Sequence, residues 1–329
     1  MTSRRNFLIG ATASAAAVLS ALATTARAQT LNKATRIVVG AAAGGGTDVI
    51  ARLVAEKMRG SYAPAVIVEN RPGANGQIAV DLVKGGDADG SIMLFTPDFR
   101  MTVFPHSHRK LNYDPLKDFA PVAICSKGAL ALTAGPMLPA SVTTVAEFLQ
   151  WAKANPKQAS YATTSAGGTP HLTGVMLSRA SGVELTPVHY KGGAPALQDL
   201  LAGQTPVAIN PEGEVLPHVR SGRIRVLALT GAKRSRFLPN VPTLIESGFR
   251  DIAVEPWLGF FVPGRTPPEA IAKLGAAIGA ALKGDDIAEG FSRAGSDLVF
   301  VGPEEFASVL RADIERWGPI VRASGFVAD

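Results

Sequence analysis

The sequence predicts an α/β protein built from two similar units. Short β-branched segments alternate with helical patterns twice along the chain, and in each half a glycine-rich turn separates a predicted strand from a predicted helix. The 329 residues, of which 47% are hydrophobic and 18% charged, suffice for about two domains with buried cores. These proportions exclude a disordered chain, collagen and a disulfide scaffold.

The first 28 residues have the composition of an export signal. Arg4 and Arg5 precede an uncharged, alanine-rich stretch that ends in small residues at Ala28. Paired arginines fit a twin-arginine signal, although they also occur in ordinary signals. The alternative is a membrane anchor, but the apolar run is shorter than the roughly 20 residues that a span needs. We expect cleavage near Ala28 and a periplasmic mature protein.

The charge of the mature chain argues against nucleic acid as a partner. Loss of residues 1–28 removes three arginines and no acid, so the formal net charge falls from +6 to +3. The closest basic cluster, Lys233 to Arg236, contains no aromatic residue for stacking on bases. No later stretch is apolar for long enough to cross a bilayer.

The first unit begins with a strand-helix-strand-helix-strand series. Residues 36–40, 65–68 and 92–95 are predicted strands, and residues 48–58 and 77–84 are predicted helices. This series favours a parallel sheet with helices on both faces.

The second unit repeats the series after the composition shifts towards glycine, alanine and serine past Pro121. Its predicted strands are 129–133, 160–162, 185–189, 207–210 and 225–229, and its predicted helices are 142–154, 170–180, 194–201 and 215–221. A further strand is predicted at 257–262, followed by a mostly helical tail from Pro267. Because no low-complexity linker separates the units, we expect crossing strands to join them.

A glycine-rich turn, residues 41–48, follows the first predicted strand. It contains Gly44, Gly45 and Thr47 directly before a helix, where free backbone N–H groups favour an anion and glycine lets a ligand approach them. The pattern lacks the lysine and the spacing of nucleotide-binding loops. The alternative is a structural turn in which Thr47 or Asp48 caps the helix.

A matching turn, residues 162–171, lies in the second unit. Pro170 suits the first turn of a helix and leaves the amides and hydroxyls before it pointing outward. Two such loops that face each other across a cleft would bind one carboxylate from both sides. His171 is either a ligand contact or a hydrogen-bonding residue at the helix start.

Patterns typical of catalysis or metal binding are missing from the sequence. It contains neither G-x-S-x-G nor H-E-x-x-H, and Cys125 has no histidine near it in sequence. The close pair His106 and His108 has no acid or cysteine at metal-ligand spacing, so a solvated loop is favoured. We expect no catalytic residue, no metal and no cofactor.

Segments spread in order over the mature chain resemble the substrate-binding proteins of tripartite tricarboxylate transporters, the Bug family. These segments are residues 43–52, 68–74, 113–122, 188–192, 222–228, 241–248 and 263–267. The resemblance implies a two-domain periplasmic binding fold of type II, with Rossmann-like lobes joined by two hinge strands. We place the first lobe at residues 29–125 and 253–329 and the second at 126–252.

The resemblance also implies a function and a site. Such proteins clasp a carboxylate of an organic acid between two loops and deliver it to membrane permease subunits, and we expect a monomer. The implied ligand contacts are Gly44, Gly45 and Thr47 in one loop and Ser165, Ala166, Gly167, Gly168, Thr169 and His171 in the other. Arg52 belongs to the same motif but is interpreted as a structural ion-pair partner.

Further candidates end strands on the edge where sheets of this kind bind ligands. They are Asp98 and Asn210, and Asp98 or Glu212 would pair with an amine or hydroxyl of the substrate. Val175 stands where the family usually has glutamate. A cleft position for Val175 would favour an aromatic or longer apolar acid over citrate, whereas a core position would leave the choice of carboxylate open.

Two other functions stay open at this point. One is an exported enzyme acting on a small carboxylic acid, which would need a nucleophile with a base or a poised carboxylate pair. The other is a sensory module that presents its ligand to a membrane receptor.

Overall fold

The computed structural model describes residues 31–328, so the predicted export signal lies outside the described residues. Two mixed β-sheets organise the chain, which confirms the α/β class and the two units. The first sheet contains β1 (Thr35–Val39), β2 (Val66–Asn70), β3 (Ile92–Pro97), β4 (Phe119–Lys127), β10 (Trp257–Pro263) and β11 (Asp297–Val301). The second contains β5 (Leu130–Ala134), β6 (Ser160–Thr163), β7 (Thr186–His189), β8 (Val207–Pro211) and β9 (Arg225–Leu229). We call the two halves of the molecule the first lobe and the second lobe after these sheets.

The helices follow the strands closely. They are α1 (Gly46–Met58), α2 (Gln77–Lys84), α3 (Phe99–Thr102), α4 (Phe104–Ser107), α5 (Val145–Ala154), α6 (Thr169–Ser181), α7 (Gly193–Leu201), α8 (Glu212–Arg220), α9 (Pro268–Ala281), α10 (Asp285–Arg293) and α11 (Pro303–Ser324). A short 3₁₀ turn, Ala74–Gly76, precedes α2. No helix among residues 31–328 has the length and apolar character needed to cross a membrane.

The two sheets correspond in the order of five strands, and β11 adds a sixth strand at the edge of the first sheet. The first runs β2-β1-β3-β10-β4-β11 and the second runs β7-β6-β8-β5-β9. Strands β1, β2 and β3 are parallel to one another, as are β6, β7 and β8, but β10 and β5 are antiparallel to their neighbours. The prediction of an all-parallel sheet therefore needs correction. The antiparallel strands are the ones by which the chain enters each sheet from the other lobe.

The chain passes between the sheets twice. It leaves the first sheet between β4 and β5 and returns between β9 and β10. These crossings lie beside the predicted boundaries after residues 125 and 252, which remain our proposal for dividing the chain.

Some elements were not visible in the sequence pattern. Strands β4 and β11 and the short helices α3 and α4 were not predicted, and β11 interrupts the tail that we expected to be mostly helical. Helix α5 begins at Val145 rather than at residue 142. Its start is fixed by a capping box, in which Thr144 binds the Glu147 amide and Glu147 binds the Thr144 amide.

Helices cover both faces of the first sheet, as predicted. Ile50 of α1 and Leu274 of α9 pack in one core cluster, and Val80 of α2 and Phe306 of α11 pack in another. A third cluster spans the two lobes. It joins residues of α3, α4 and α11, such as Trp317, to the core of the second lobe.

Candidate functional site

Two loops occupy corresponding edges of the two sheets. The first loop, residues 40–45, connects β1 to α1, and the second loop, residues 164–168, connects β6 to α6. Both leave the carboxyl ends of parallel strands, which is where open α/β sheets bind ligands. Each loop also leads into a helix N-terminus, whose first N–H groups have no acceptor within the helix.

Asp48 fixes the conformation of the first loop. Its carboxylate accepts hydrogen bonds from the Gly44 amide at 2.8 Å, from Arg52 Nε at 2.9 Å and from Asn70 Nδ2 at 2.9 Å. Burial works to raise the pKa of Asp48, but these three donors outweigh burial and lower it. The predicted ion-pair role of Arg52 is confirmed.

The first loop therefore divides into a structural part and an accessible part. Gly44 has φ +83°, a backbone conformation that favours glycine, and its amide is already used by Asp48. The amides of Gly45, Gly46 and Thr47 lie at the start of α1 and are the ones suited to an anion. The expected side-chain cap by Thr47 or Asp48 is not formed at the N-cap, Gly45, because Asp48 instead accepts from the Gly44 amide within the loop. The geometry is compatible with an anion-binding loop.

His171 organises the second loop. The Gly167 amide donates to His171 Nδ1 at 3.1 Å, and the Gly168 amide donates to the Ser165 carbonyl at 3.2 Å. Burial lowers the pKa of His171 to about 4, so the imidazole is neutral at neutral pH. Because Nδ1 accepts a hydrogen bond, the ring proton resides on Nε2, which makes the ring a hydrogen-bond donor.

Several polar atoms at this edge of the second sheet are buried and have no hydrogen-bond partner among residues 31–328. They are Thr163 Oγ1, Ser165 Oγ, Asn210 Oδ1 and Glu212 Oε1. Thr163 ends β6, and Asn210 lies in the adjacent strand β8. A buried polar atom without a hydrogen bond costs about 1 to 3 kcal/mol, so such a cluster is suited to a polar guest or ordered water.

The second loop touches the first lobe. Thr169 Oγ1 donates to Asp98 Oδ1 at 3.2 Å, and Asp98 follows β3. A Cβ at Gly167 would lie 3.3 Å from Ser107 Oγ and 2.8 Å from the ring of Phe326. The loop is thus held between two segments of the first lobe.

The C-terminal tail covers the second loop. The Ala328 amide donates to the Ser107 carbonyl at 2.6 Å, and the Phe326 ring lies edge-on to His171 with 4.6 Å between the ring centres. No local sequence pattern indicates this role of Phe326, because the contact joins residues far apart in the chain.

The structure brings together only part of the predicted site. Asp98, Gly167 and Thr169 meet at the lobe interface. At the tip of the first loop, no atom among residues 31–328 lies within 4 Å of a Cβ position at Gly44, and a Cβ at Gly45 would meet only the Ala42 carbonyl of the same loop. The Asn210 amide group instead donates from Nδ2 to Glu214 Oε2 at 3.1 Å.

The two side chains proposed to tune specificity differ in their surroundings. Val175 is half-buried in α6. Glu212 is buried at the start of α8, and burial raises its pKa to about 7, with Ser235 and Arg236 acting in the opposite direction.

Among residues 31–328, no group of three potential metal ligands is assembled.

Asp98→Asn should remove a pH-dependent loss of stability. Burial, reinforced by Asp313, raises the pKa of Asp98 to about 7, so between about pH 4 and 7 the folded protein holds a proton that the unfolded chain releases. The free energy of unfolding then contains a contribution that falls as pH rises through this window. Relative to wild type, the variant should gain stability on the order of 2 to 4 kcal/mol between pH 4 and 8.

Urea unfolding at pH 4, 5.5, 7 and 8 measures this difference. The matched control is Asp251→Asn, at an exposed aspartate. A difference between Asp98→Asn and wild type that stays constant with pH would contradict the prediction.

Known proteins are similar to this chain in both sequence and fold. A family model described as "Tripartite tricarboxylate transporter family receptor" matches residues 50–326. Protein BugT of Bordetella pertussis is 31% identical over 283 residues, which cover 86% of each chain. The structure of periplasmic binding protein BugD matches with a TM-score of 0.80 at 29% identity, covering 90% of this chain and 98% of that one. A structure of an R. palustris protein with adipate matches with a TM-score of 0.83 at 30% identity, covering 89% and 98%.

Proposed function

This chain belongs to the tripartite tricarboxylate transporter receptor family, and we propose that it captures a small organic carboxylate between its lobes for delivery to permease subunits of such a transporter. The observation that carries the proposal is the pair of loops at corresponding sheet edges, each leading into a helix N-terminus with free amides. The family is one of solute-binding receptors, and the R. palustris relative holds adipate. We therefore place this chain among binding proteins rather than enzymes.

The proposed ligand contacts divide between the lobes. In the first lobe, the amides of Gly45 and Thr47 would bind the carboxylate, with Gly44 holding the loop in shape. In the second, the proposed contacts are Ser165, Ala166, Thr169 and the Nε2 proton of His171, with Gly167 and Gly168 shaping the loop. Asn210 and Asp98 would contact the rest of the ligand.

Closure follows from where the ligand binds. A ligand that contacts both lobes makes its full set of hydrogen bonds only when the lobes are together, so binding shifts the population towards the closed form. Charge-assisted hydrogen bonds of this kind contribute about 1.5 to 3 kcal/mol each. The closed form presents a different surface to the membrane partner from the open form.

Proteins of this family are periplasmic receptors, as BugD illustrates. We propose that residues 1–28 are a cleaved export signal of the twin-arginine type and that the mature protein is a periplasmic monomer. Analysis of the exported protein by mass spectrometry would locate the cleavage site. An N-terminus far from Gln29 would contradict this assignment.

A thermal-shift screen tests the proposed function. Adipate, shorter dicarboxylates, citrate, aromatic acids and amino acids are each added to the purified mature protein. A ligand at a hundred times its Kd should add about 2.7 kcal/mol to the free energy of unfolding, and proton NMR should show that the acid is not consumed. Turnover of the acid, or no response to any carboxylate, would overturn the proposal.

A further inference from the structure

Arg100 is a buried cation at the edge of the first sheet. It lies in α3, directly after β3, and is 7% exposed. Its guanidinium donates from Nε to the Asn75 carbonyl at 2.6 Å, from Nη1 to Thr96 Oγ1 at 3.2 Å and from Nη2 to the Gly40 carbonyl at 3.3 Å. All three acceptors are neutral.

No carboxylate forms an ion pair with this guanidinium within the part of the chain that the structure describes, and the carboxyl group of Asp98 acts on it only through a weaker charge interaction. None of the ion pairs among residues 31–328 includes Arg100, and the nearby Asp98 accepts its hydrogen bond from Thr169. Burial lowers the pKa of Arg100 only to about 10, so it stays charged at neutral pH. A buried charge without an ion-pair partner is costly, so an anion placed against this guanidinium would be favoured.

The guanidinium lies beside the start of the first loop and the end of β3. Gly40 begins the first loop, and Thr96 lies near the carboxyl end of β3. A Cβ at Gly76 would overlap Arg100 Nε, so the guanidinium lies directly against the Gly76 α-carbon, where φ is +88°. The Gly76 backbone thus covers this part of the guanidinium, and the guanidinium carbon lies 4.9 Å from the centre of the Phe99 ring.

The guanidinium also has donors to spare. Of its five N–H groups, three are used by the acceptors above, which leaves one N–H on each of Nη1 and Nη2 without an acceptor in residues 31–328. An N–H on each of the two terminal nitrogens of a planar guanidinium can pair with the two oxygens of a carboxylate.

We propose that Arg100 is a specificity-determining residue that pairs with a second carboxylate of the ligand, so that the protein selects dicarboxylates over monocarboxylates. This inference rests on the proposed function, in which the two loops hold the first carboxylate. The other reading of Arg100 is a clamp that joins Gly40, Asn75 and Thr96 and never meets the ligand.

Two ligand pairs of matched chain length separate these readings: adipate with hexanoate, and succinate with butyrate. Their affinities are measured by calorimetry for wild type, Arg100→Gln and Arg100→Lys. The matched control is Arg225→Gln, because Arg225 also donates to neutral carbonyls, those of Pro139 and Val142, in the second lobe. Urea unfolding of each ligand-free variant gives its free energy of unfolding, which shows separately how much the contacts of Arg100 with Gly40, Asn75 and Thr96 stabilise the fold.

We expect wild type to bind the dicarboxylate of at least one pair more tightly than its monocarboxylate. Arg100→Gln should weaken that dicarboxylate by about tenfold to a hundredfold and leave the monocarboxylate nearly unchanged, whereas Arg100→Lys should keep part of the preference. Arg225→Gln should change neither affinity.

Three results decide against the inference or its basis. Equal weakening of both acids by Arg100→Gln would assign Arg100 to the clamp role. If wild type binds both members of each pair with equal affinity, the inference is overturned. This measurement needs no variant, so it can be made even if Arg100→Gln does not fold. Binding of no carboxylate by wild type would instead overturn the proposed function.

Discussion

Gly167→Val should weaken carboxylate binding by at least about a hundredfold while the lobes stay folded. Gly167 has φ +69°, which a β-branched residue adopts only with strain, and its new Cβ would lie 2.8 Å from the Phe326 ring. Relieving the backbone strain or the close contact with Phe326 would move the Gly167 amide away from His171 Nδ1. That movement would disturb the conformation of the whole second loop. Calorimetry with adipate, or with the best acid from the thermal-shift screen, measures the loss.

Gly182→Val is the matched control for this prediction. Gly182 ends the same helix, α6, with a similar φ of +67°, but no atom lies within 4 Å of its Cβ position. The two variants should lose similar stability from backbone strain, on the order of 1 to 2 kcal/mol, and only Gly167→Val should lose affinity. Equal affinities for the two variants would show that the second loop does not hold the ligand.

Trp317→Ala should lower the free energy of unfolding by about 3 to 5 kcal/mol. Trp317 is buried in α11 within the core cluster that joins the two lobes, together with Phe104 of the first lobe and Phe148 of the second. Its removal leaves a cavity between the lobes, so both should be destabilised together. Urea unfolding followed by far-UV circular dichroism measures the loss in the ligand-free protein.

Trp151→Ala provides the comparison for Trp317. Trp151 lies in α5 and is only partly buried at the margin of the same cluster. Its replacement should cost less than half as much, because less apolar area is lost and water fills the space. An equal decrease in the free energy of unfolding for Trp317→Ala and Trp151→Ala would contradict our description of this cluster as the core that connects the lobes.

The sequence was most informative where local chemistry determines structure. The strand before each loop, the glycines within it and the helix after it were all predicted from residues close together in the chain. Asp48 and Arg52 are one helical turn apart, so their ion pair also follows from spacing.

What the sequence did not reveal depends on contacts between distant segments. Strand β4 contains Pro121, which obscures its strand pattern, and β10 pairs with it from more than a hundred residues away. The features of Arg100 and Phe326 arise only in the folded chain. Arg100 is buried with only neutral hydrogen-bond acceptors among residues 31–328, and Phe326 lies against His171. No local pattern marks either residue.

The glycines also show where spacing alone is insufficient. Gly44 and Gly45 are equivalent in the sequence motif, yet Gly44 needs its positive φ whereas Gly45 is extended, with φ −75°. Substitution at Gly44 therefore tests whether the conformation of the first loop matters for binding. Substitution at Gly45 tests whether a ligand approaches the amides at the start of α1.

A crystal structure of the mature protein with adipate, or with the acid that binds most tightly in the screen, is the most direct test. We predict one carboxylate of the bound acid within 3.2 Å of amide nitrogens at the start of both α1 and α6. A bound acid that contacts a single lobe, or that lies away from both helix N-termini, would contradict this account.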